Sequence, residues 1–390
     1  MNSLRLLTAG ESHGKTVVAI LEGMPAGVPI DPSRVNAELR KRQGGYGRGG
    51  RMKIEKDQIE VLSGVRFGRT TGGPIAFQIP NLDFVNWEKK MAIDGPPPPD
   101  YRPITLARPG HADLAGALKF GHGDIRNVIE RSSARETTAR TAAGAICKEL
   151  LRQFDISWIS HVTHLGPVST RPRDWTLGRA PERFARAVDA SPVRCANPSA
   201  AKKMIAQIDA AKKRGDTLGG IYEVVYFNVP PGLGSCMQWD RKLDAQIAFG
   251  ILSIHAQKAV EIGDGFGGAL LPGSRVHDEI FYSKSRGFYR KTNRSGGIEG
   301  GMTTGSPIVV RGAMKPIATL LKPLRSVDLK TRKPTTSRYE RSDVCALPAA
   351  SIVAEGVVGF VLSAAFLEKF SGDHLRDIRA SVHHFLQRIR

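Results

Sequence analysis

The sequence predicts an α+β protein of mixed layers, built as one large domain. Three observations lead there. Strand-like runs and helix-period runs interleave along the chain with no fixed-period repeat. One segment, 348–369, is apolar nearly all round a helix and must be buried. The hydrophobic content, 41% of 390 residues, suffices for a substantial core.

Taken in order, 4–8 and 16–21 read as strands on either side of the loop Gly10-Glu11-Ser12-His13-Gly14. Asp31-Pro32 marks a helix entry, with Asp as N-cap and Pro at the first helical position. That helix carries Val35, Leu39 and Arg40 and stops at Gly44-Gly45, opening a flexible basic loop over 42–52. Further strands fall at 58–62 and 75–79. The run Asp94-Gly95-Pro96-Pro97-Pro98-Pro99-Asp100 is a stiff connector within a loop over 94–103. Its flanks read as parts of one core, so it is an internal loop and not a domain boundary. A helix over 133–154 carries Ala139, Ala142, Ala143, Ile146 and Leu150 at helical spacing. Strands at 156–163 and 221–229 flank helices at 182–190 and 199–213. An amphipathic helix is expected over 242–260, and the last helix, 374–389, is amphipathic and basic.

The formal charge is +20, from 57 basic and 37 acidic residues. That balance favours anionic partners: nucleic acid, an acidic membrane surface, or phosphorylated and carboxylated metabolites. The basic residues are scattered through short Gly-rich segments, and aromatics, 7% of the chain, do not interleave with them. A nucleic-acid partner is therefore disfavoured. Cys147, Cys195, Cys236 and Cys345 stand far apart without zinc spacing, as in a reduced, cytoplasmic protein. No signal-peptide core and no run of eighteen apolar residues stands out, so no membrane partner is expected. No His/Cys/Asp/Glu set has metal spacing, and no catalytic metal is expected.

Several segments can carry chemistry. Glu130-Arg131-Ser132-Ser133-Ala134-Arg135-Glu136 opens the helix at 133, with Ser133 and Glu136 as a capping box. Free N–H groups and the dipole there suit a phosphate, and Arg131 and Arg135 add charge; an ordinary capped surface helix is the alternative. His13, between glycines and beside Ser12, suits proton donation to a departing oxyanion, or is a structurally satisfied loop histidine. Ser12 is no nucleophile of the elbow type, since no Gly-x-Ser-x-Gly is present. Arg108-Pro109-Gly110-His111-Ala112-Asp113 repeats the pattern, with Asp113 orienting the ring or capping a helix. His122, in Gly121-His122-Gly123-Asp124, is a third and more ambiguous site. The stretch from Arg40 to Arg51 is the densest basic patch. It reads as an arginine loop closing over a polyanion, or as a solvated or RNA-touching loop. Its Gly45-x-Gly47-x-x-Gly50 and the later Gly263-x-Gly265-x-x-Gly268 match a dinucleotide fingerprint in the wrong context. Asp343, behind Arg338 and Arg341, is a base, an ion-pair partner or an N-cap. Asn293 to Gly301 is a Gly-rich turn that admits a flat ligand, and Lys315-Pro316-Ile317-Ala318-Thr319 adds a cation and a hydroxyl.

Together these motifs resemble the chorismate synthase family along nearly the whole chain. The resemblance rests on Gly10 to Gly14 with Glu22-Gly23-Met24-Pro25, on Glu130 to Glu136, and on Arg341-Ser342-Asp343. Between them, Arg108 to Asp113, Gly263-Asp264-Gly265-Phe266 and Gly296-Gly297-Ile298 fall in matching order. The family implies a β-α-β sandwich, a homotetramer, and a carbon–oxygen lyase of the shikimate pathway, hence of aromatic amino acid biosynthesis. Its reaction is the anti-1,4-elimination of phosphate from 5-enolpyruvylshikimate 3-phosphate, giving chorismate with reduced FMN as cofactor. By resemblance, His13 meets the leaving phosphate and His111 lies beside the flavin N1 edge. Asp343, with Ser12, assists removal of the C6 proton. Flavin contacts are implied for Arg131, Ser132, Ser133, His255, Ala256, Gly300, Lys315, Pro316, Ile317, Ala318, Thr319 and Arg341. Arg42, Arg48, Arg51, Arg108 and Arg135 resemble anion clamps, and Arg42 and Arg48 match NADP positions. An external source of reduced flavin is the default expectation, with NADPH as a possible reductant. The chain departs from the family at His255, where an amide is common. The competing classes are a basic RNA-binding protein and an NAD(P)-dependent oxidoreductase.

Overall fold

The first sheet arises from alternation. Along β2 (Thr16–Glu22), Val17, Ala19 and Leu21 point inward, and along β6 (Ile75–Pro80) Ile75, Phe77 and Ile79 do the same. β1 (Arg5–Ala9) and β3 (Glu60–Val61) complete an antiparallel sheet in the order β1-β2-β6-β3. The computed structural model describes residues 4–389 except Pro172, Leu177, Tyr339 and Arg341, with Lys53 described by its backbone only.

Between β2 and β6 comes α1 (Pro32–Gln43), whose N-cap Asp31 accepts from the Ser33 amide as the Asp-Pro pair predicts. Then follow α2 (Asp113–Phe120), α3 (Arg126–Ser132) and α4 (Thr137–Arg152). The second sheet is antiparallel, in the order β10-β15-β9-β7-β8. Its strands are β7 (Ser157–Leu165), β8 (Val168–Ser169), β9 (Gly220–Phe227), β10 (Gln257–Ile262) and β15 (Ile308–Met314). Helices α5 (Glu182–Ala190), α6 (Pro198–Lys213) and α7 (Leu243–Leu252), then the single turn α8 (Gly265–Gly268), lie between these strands in sequence. Short hairpins pair β4 (Val65–Arg66) with β5 (Arg69–Thr70), β11 (Ile280–Ser283) with β12 (Gly287–Arg290), β13 (Ile298–Glu299) with β14 (Met302–Thr303), and β16 (Arg325–Val327) with β17 (Pro334–Thr336). The chain ends in α9 (Leu347–Lys369) and α10 (Leu375–Arg388).

Helix α4 packs on the first sheet, α9 on the second, and the two helices pack on each other. The result is sheet, helices, sheet, an α+β sandwich whose main core runs through all three layers. By length and composition α9 could cross a membrane, yet 83% of its most apolar window is buried inside the molecule. It is the centre of the sandwich. The closest approach of α4 and α9 is glycine on glycine: a Cβ on Gly144 would sit 2.4 Å from the Gly356 carbonyl oxygen. Beside it the Lys148 ammonium lies 2.6 Å from Glu38 of α1 and 2.6 Å from Glu355 of α9. Burial acts to raise Glu38, but the Lys148 charge outweighs it and holds the carboxyl at about 2.

Three expectations need correction. The helix expected over 242–260 ends at Leu252; Ala256 takes φ 65°, and the chain then enters edge strand β10. The helix expected at 133 begins with a 3₁₀ turn, Ala134–Glu136, and is α-helical only from Thr137 to Arg152. Ser133 caps that turn by accepting from the Arg135 amide at 3.3 Å. Glu136 does not return the bond; it accepts from Thr8 Oγ1 at 2.8 Å and pairs with Arg140. The strand expected over 58–62 is only two residues long, and the central strand β15 had no sequence counterpart. The glycine fingerprints lie in an antiparallel context, without a parallel βαβ unit.

Candidate active site

The loop between β1 and β2 is held from both sides. Gly10 has φ 104°, and a Cβ there would lie 2.4 Å from the Thr16 carbonyl oxygen, so only glycine fits. Asn81 Nδ2 donates to the Gly14 carbonyl at 2.7 Å. Glu130, from α3, takes the His13 amide at 2.7 Å on one oxygen and stands 2.9 Å from His13 Nδ1 on the other. The imidazole stacks on Trp87 with centroids 4.0 Å apart. Arg126 donates to Glu130 at 3.0 Å and lies 4.9 Å above the same Trp87 ring. Burial acts to raise the Glu130 carboxyl, but the bonds from His13 and Arg126 prevail and its pKa falls. An ionised carboxylate on Nδ1 fixes the proton there and leaves Nε2 as the exchanging atom.

His111 is arranged in the same way on a different element. The turn through Gly110, φ 78°, brings His111 Nδ1 to 2.5 Å from Asp113 Oδ1. Arg108 clamps the buried Asp113 through Nε at 2.8 Å, Nη2 at 3.0 Å and its own amide at 3.0 Å. Burial opposes ionisation of Asp113, and the bonds from His111 and Arg108 overcome it, so its pKa is driven well down. Arg108 Nη1 also reaches Thr319 Oγ1 at 3.0 Å, and Lys315 Nζ donates to the Gly110 carbonyl at 2.6 Å. The Lys315 amide bonds the Ala256 carbonyl at 3.0 Å. Next to Ala256, His255 is mostly buried, and its Nδ1 has no partner. Burial first, then the fields of Arg140, His111 and Arg131, push its pKa down against Glu136.

The arginines divide into two groups. Arg135 is buried, donating to Asn81 Oδ1 at 2.6 Å, Asp57 at 2.5 Å and the Pro80 carbonyl at 3.1 Å. Arg42 belongs to the last turn of α1, not to the loop. It is buried, with Nε on Thr137 Oγ1 at 3.1 Å, Nη1 on Asp57 at 3.3 Å and Nη2 on the Ala134 carbonyl at 2.9 Å. Desolvation lowers its pKa to about 9 in spite of Asp57. These two lock α1 and β6 to the start of α4. Arg48, Arg51 and Arg131 are more open. Arg48 donates to Asp343 Oδ2 at 2.7 Å, and the Gly49 amide donates to Oδ1 at 2.6 Å. Arg51 donates to Ser12 Oγ at 2.7 Å, and Ser12 donates on to Ser133 Oγ at 3.0 Å. Ser12 thus faces a cation and a hydroxyl and has no bond to His13, which excludes a serine–histidine nucleophile. Arg131 lies exposed against the Thr8 carbonyl at 2.8 Å.

The remaining sequence candidates sort by position. The Ser132 hydroxyl bonds back to Val128 within α3. Ala318 adjoins Gly110, where a Cβ would be 3.6 Å from it, and the Ile317 carbonyl accepts from Thr217 at 2.7 Å. Pro316 abuts Gly219, whose Cβ would meet the Pro316 nitrogen at 2.8 Å. Gly300 sits in the β13–β14 turn beside Cys236, and no bond among the described residues ties it to either histidine. Arg341 lies outside the described residues. His122 lies 3.5 Å from Asn127 and joins no part of the network. The sequence reading missed Trp87, Arg126, Asn81, Asp57 and Glu55, the last paired with Arg51 and Arg135; it noted the acid between Arg338 and Arg341, Glu340, without its partners. These groups hold the imidazoles and the other arginines in place. The Arg126/Glu130 pair at i,i+4 was the one signal that could have been found.

Comparison with known proteins identifies the family and the fold. A family model described as chorismate synthase matches residues 4–367. A relative named chorismate synthase from Moorella thermoacetica is 54% identical over 390 residues, covering 99% of this chain and 100% of that protein. One of the same name from Desulforamulus reducens is 51% identical over 387 residues, covering 99% of each chain. A crystal structure described as chorismate synthase superposes with a TM-score of 0.79 at 39% identity, covering 99% of this chain and 98% of that one. With family match, relatives and fold in agreement over nearly its full length, the chain belongs to the chorismate synthase family of carbon–oxygen lyases.

Proposed function

We propose that this chain forms chorismate by anti-1,4-elimination of phosphate from 5-enolpyruvylshikimate 3-phosphate, with reduced FMN bound. One observation carries the reading. Two imidazoles from distant loops are each held at Nδ1 by a buried carboxylate, one hydrogen-bonded path joins them, and Arg51 of the arginine loop reaches Ser12 next to His13. A substrate with two carboxylates and a phosphate matches the open cations Arg48 and Arg51. His13 Nε2 gives its proton to the departing phosphate, while Glu130 and Trp87 hold the ring in line. Asp343, with Ser12, assists removal of the C6 proton. Arg42 and Arg135 serve as struts that keep the loop and the start of α4 in register.

The residues present fit a flavin. Arg131 is open to a phosphate, the turn at 315–319 leans on the His111 loop, and the unpartnered His255 Nδ1 is a buried polar atom suited to a ring edge. Arg131, Ser132, Ser133, His255, Ala256, Gly300, the 315–319 segment and Arg341 would hold it, with His111 at the ring edge. Reduced FMN, when bound, supplies electron density to the breaking C–O bond. NADPH as a direct reductant is the lesser reading, because every nitrogen of Arg42 already has a partner. Exposed Leu7, Ile20, Phe249 and Leu270 support self-association, in keeping with a cytoplasmic homotetramer.

The test is an anaerobic assay of chorismate and phosphate release with chemically reduced FMN, with and without NADPH. Stoichiometric release with reduced FMN alone is expected. No release under either condition rejects the proposal.

A further inference from the structure

The two histidine sites are built alike, and they meet. Asp113 holds His111 and is clamped by Arg108; Glu130 holds His13 and is clamped by Arg126. Arg108 and Arg126 then converge on a single residue. Glu340 Oε2 accepts from Arg108 Nη1 at 3.3 Å, and Oε1 accepts from Arg126 Nη2 at 3.1 Å. Arg338 closes an ion pair with the same carboxylate. The bonded path therefore runs His111, Asp113, Arg108, Glu340, Arg126, Glu130, His13 without a break.

Glu340 also belongs to the segment that carries Asp343, three residues further on. Ser342 Oγ donates to the Thr319 carbonyl at 3.3 Å, and Thr319 in turn accepts from Arg108. The two imidazoles thus come from separate stretches of chain, and one carboxylate touches the supports of both. Both arginines it joins have side chains largely removed from water, 5% and 13% exposed. At such depth their shared counter-ion fixes geometry more firmly than a surface pair does.

We propose that Glu340 is a positioning residue: by bridging Arg108 and Arg126 it sets the placement of His13 and His111 relative to one another. Its carboxylate touches neither imidazole, and it acts only through the two arginines. Without it, Arg108 and Arg126 turn more fully onto Asp113 and Glu130 and draw those carboxylates away from the imidazole nitrogens. Around His13 stand Glu130 and the Trp87 ring, both in contact with Arg126; around His111 stand Asp113, Arg108 and the nearby His255. None of them replaces the bridge.

The proposal rests on the chorismate-forming reading, so its test has an arm independent of turnover. In the full-length protein without ligand, diethyl pyrocarbonate modification is followed by peptide mass at one neutral pH. Glu340→Gln is expected to speed modification of both His13 and His111 at least threefold, with the exposed His383 and His384 unchanged as internal references. In steady state the same variant should lower kcat about tenfold or more, with KM within about threefold and partial rescue by Glu340→Asp. A Glu368→Gln variant, which breaks the surface pair with Arg241, should alter neither readout. Unchanged modification of either histidine overturns the proposal, as does native kcat in Glu340→Gln. If the native enzyme releases no chorismate, the functional reading fails, and the modification result still decides the role of Glu340.

Discussion

Asp343 is one of several fasteners of the arginine loop, beside Arg51 on Ser12 and the Val344 amide on the Gly47 carbonyl, and removing it has a calculable effect. Asp343 accepts from Arg48 at 2.7 Å and from the Gly49 amide at 2.6 Å. Replacing Asp343 by Ala deletes both bonds. Hydrogen bonds to charged groups contribute about 1.5–3 kcal/mol each. The Arg48 and Asp343 side chains remain 11% and 19% exposed, which reduces the joint value to about 2–3 kcal/mol. The population of the released loop should then rise about 30- to 150-fold, since about 1.4 kcal/mol corresponds to a factor of ten. Trypsin reads this directly, because the loop offers Arg48 followed by Gly49 and Arg51 followed by Met52. Where cleavage samples the opened loop, its rate follows that population. Cutting at the exposed Lys284 and Arg286, in the β11–β12 turn, serves as the reference. Loop cleavage within twofold of native, at unchanged reference cleavage, would show that Asp343 does not hold the loop.

Two further outcomes are expected. Lys148→Met leaves Glu38 and Glu355 facing each other in the core and should lower stability to urea at pH 7 by about 3–5 kcal/mol. The native protein draws on the depressed Glu38 carboxyl, so that contribution is complete above the ordinary value of 4.5 and vanishes as pH falls toward about 2. Urea curves at pH 7, 4 and 3 should show the gap between native and Lys148→Met closing with acid; a constant gap refutes the assignment. His13→Ala and His111→Ala should each lower turnover at least tenfold while substrate still binds, as equilibrium dialysis against turnover would show; near-normal turnover in both rejects their roles.

Much of the architecture was legible because it follows from local rules. Asp31-Pro32 capped a helix as expected, and the apolar run at 348–369 became the buried centre, since each depends only on its own residues. β15 was missed because its identity is set by neighbours across the sheet, and only the end of β10, the strand-like Val260-Glu261-Ile262, stood out behind a helical periodicity. In the site, the glycine-flanked histidines and the arginines stood out by composition. Their partners did not: Glu130 lies 117 positions from His13, and Glu340 lies 232 from Arg108. An acid between arginines was visible at Glu340, but its distant partners Arg108 and Arg126 appear only in the fold.

The glycine contact between α4 and α9 bears on the chemistry far from where it occurs. Thr137 begins one helix and Leu347 the other, and each start adjoins a candidate site residue in sequence: Ser133 in one case, Asp343 in the other. From the crossing at Gly144 and Gly356 to these ends is only about 10–14 Å at 1.5 Å per residue. A methyl group inserted at that crossing would act as a wedge between two levers. The displacement would be felt as a wider mouth between phosphate acceptor and base, in an enzyme whose every catalytic side chain had been left untouched.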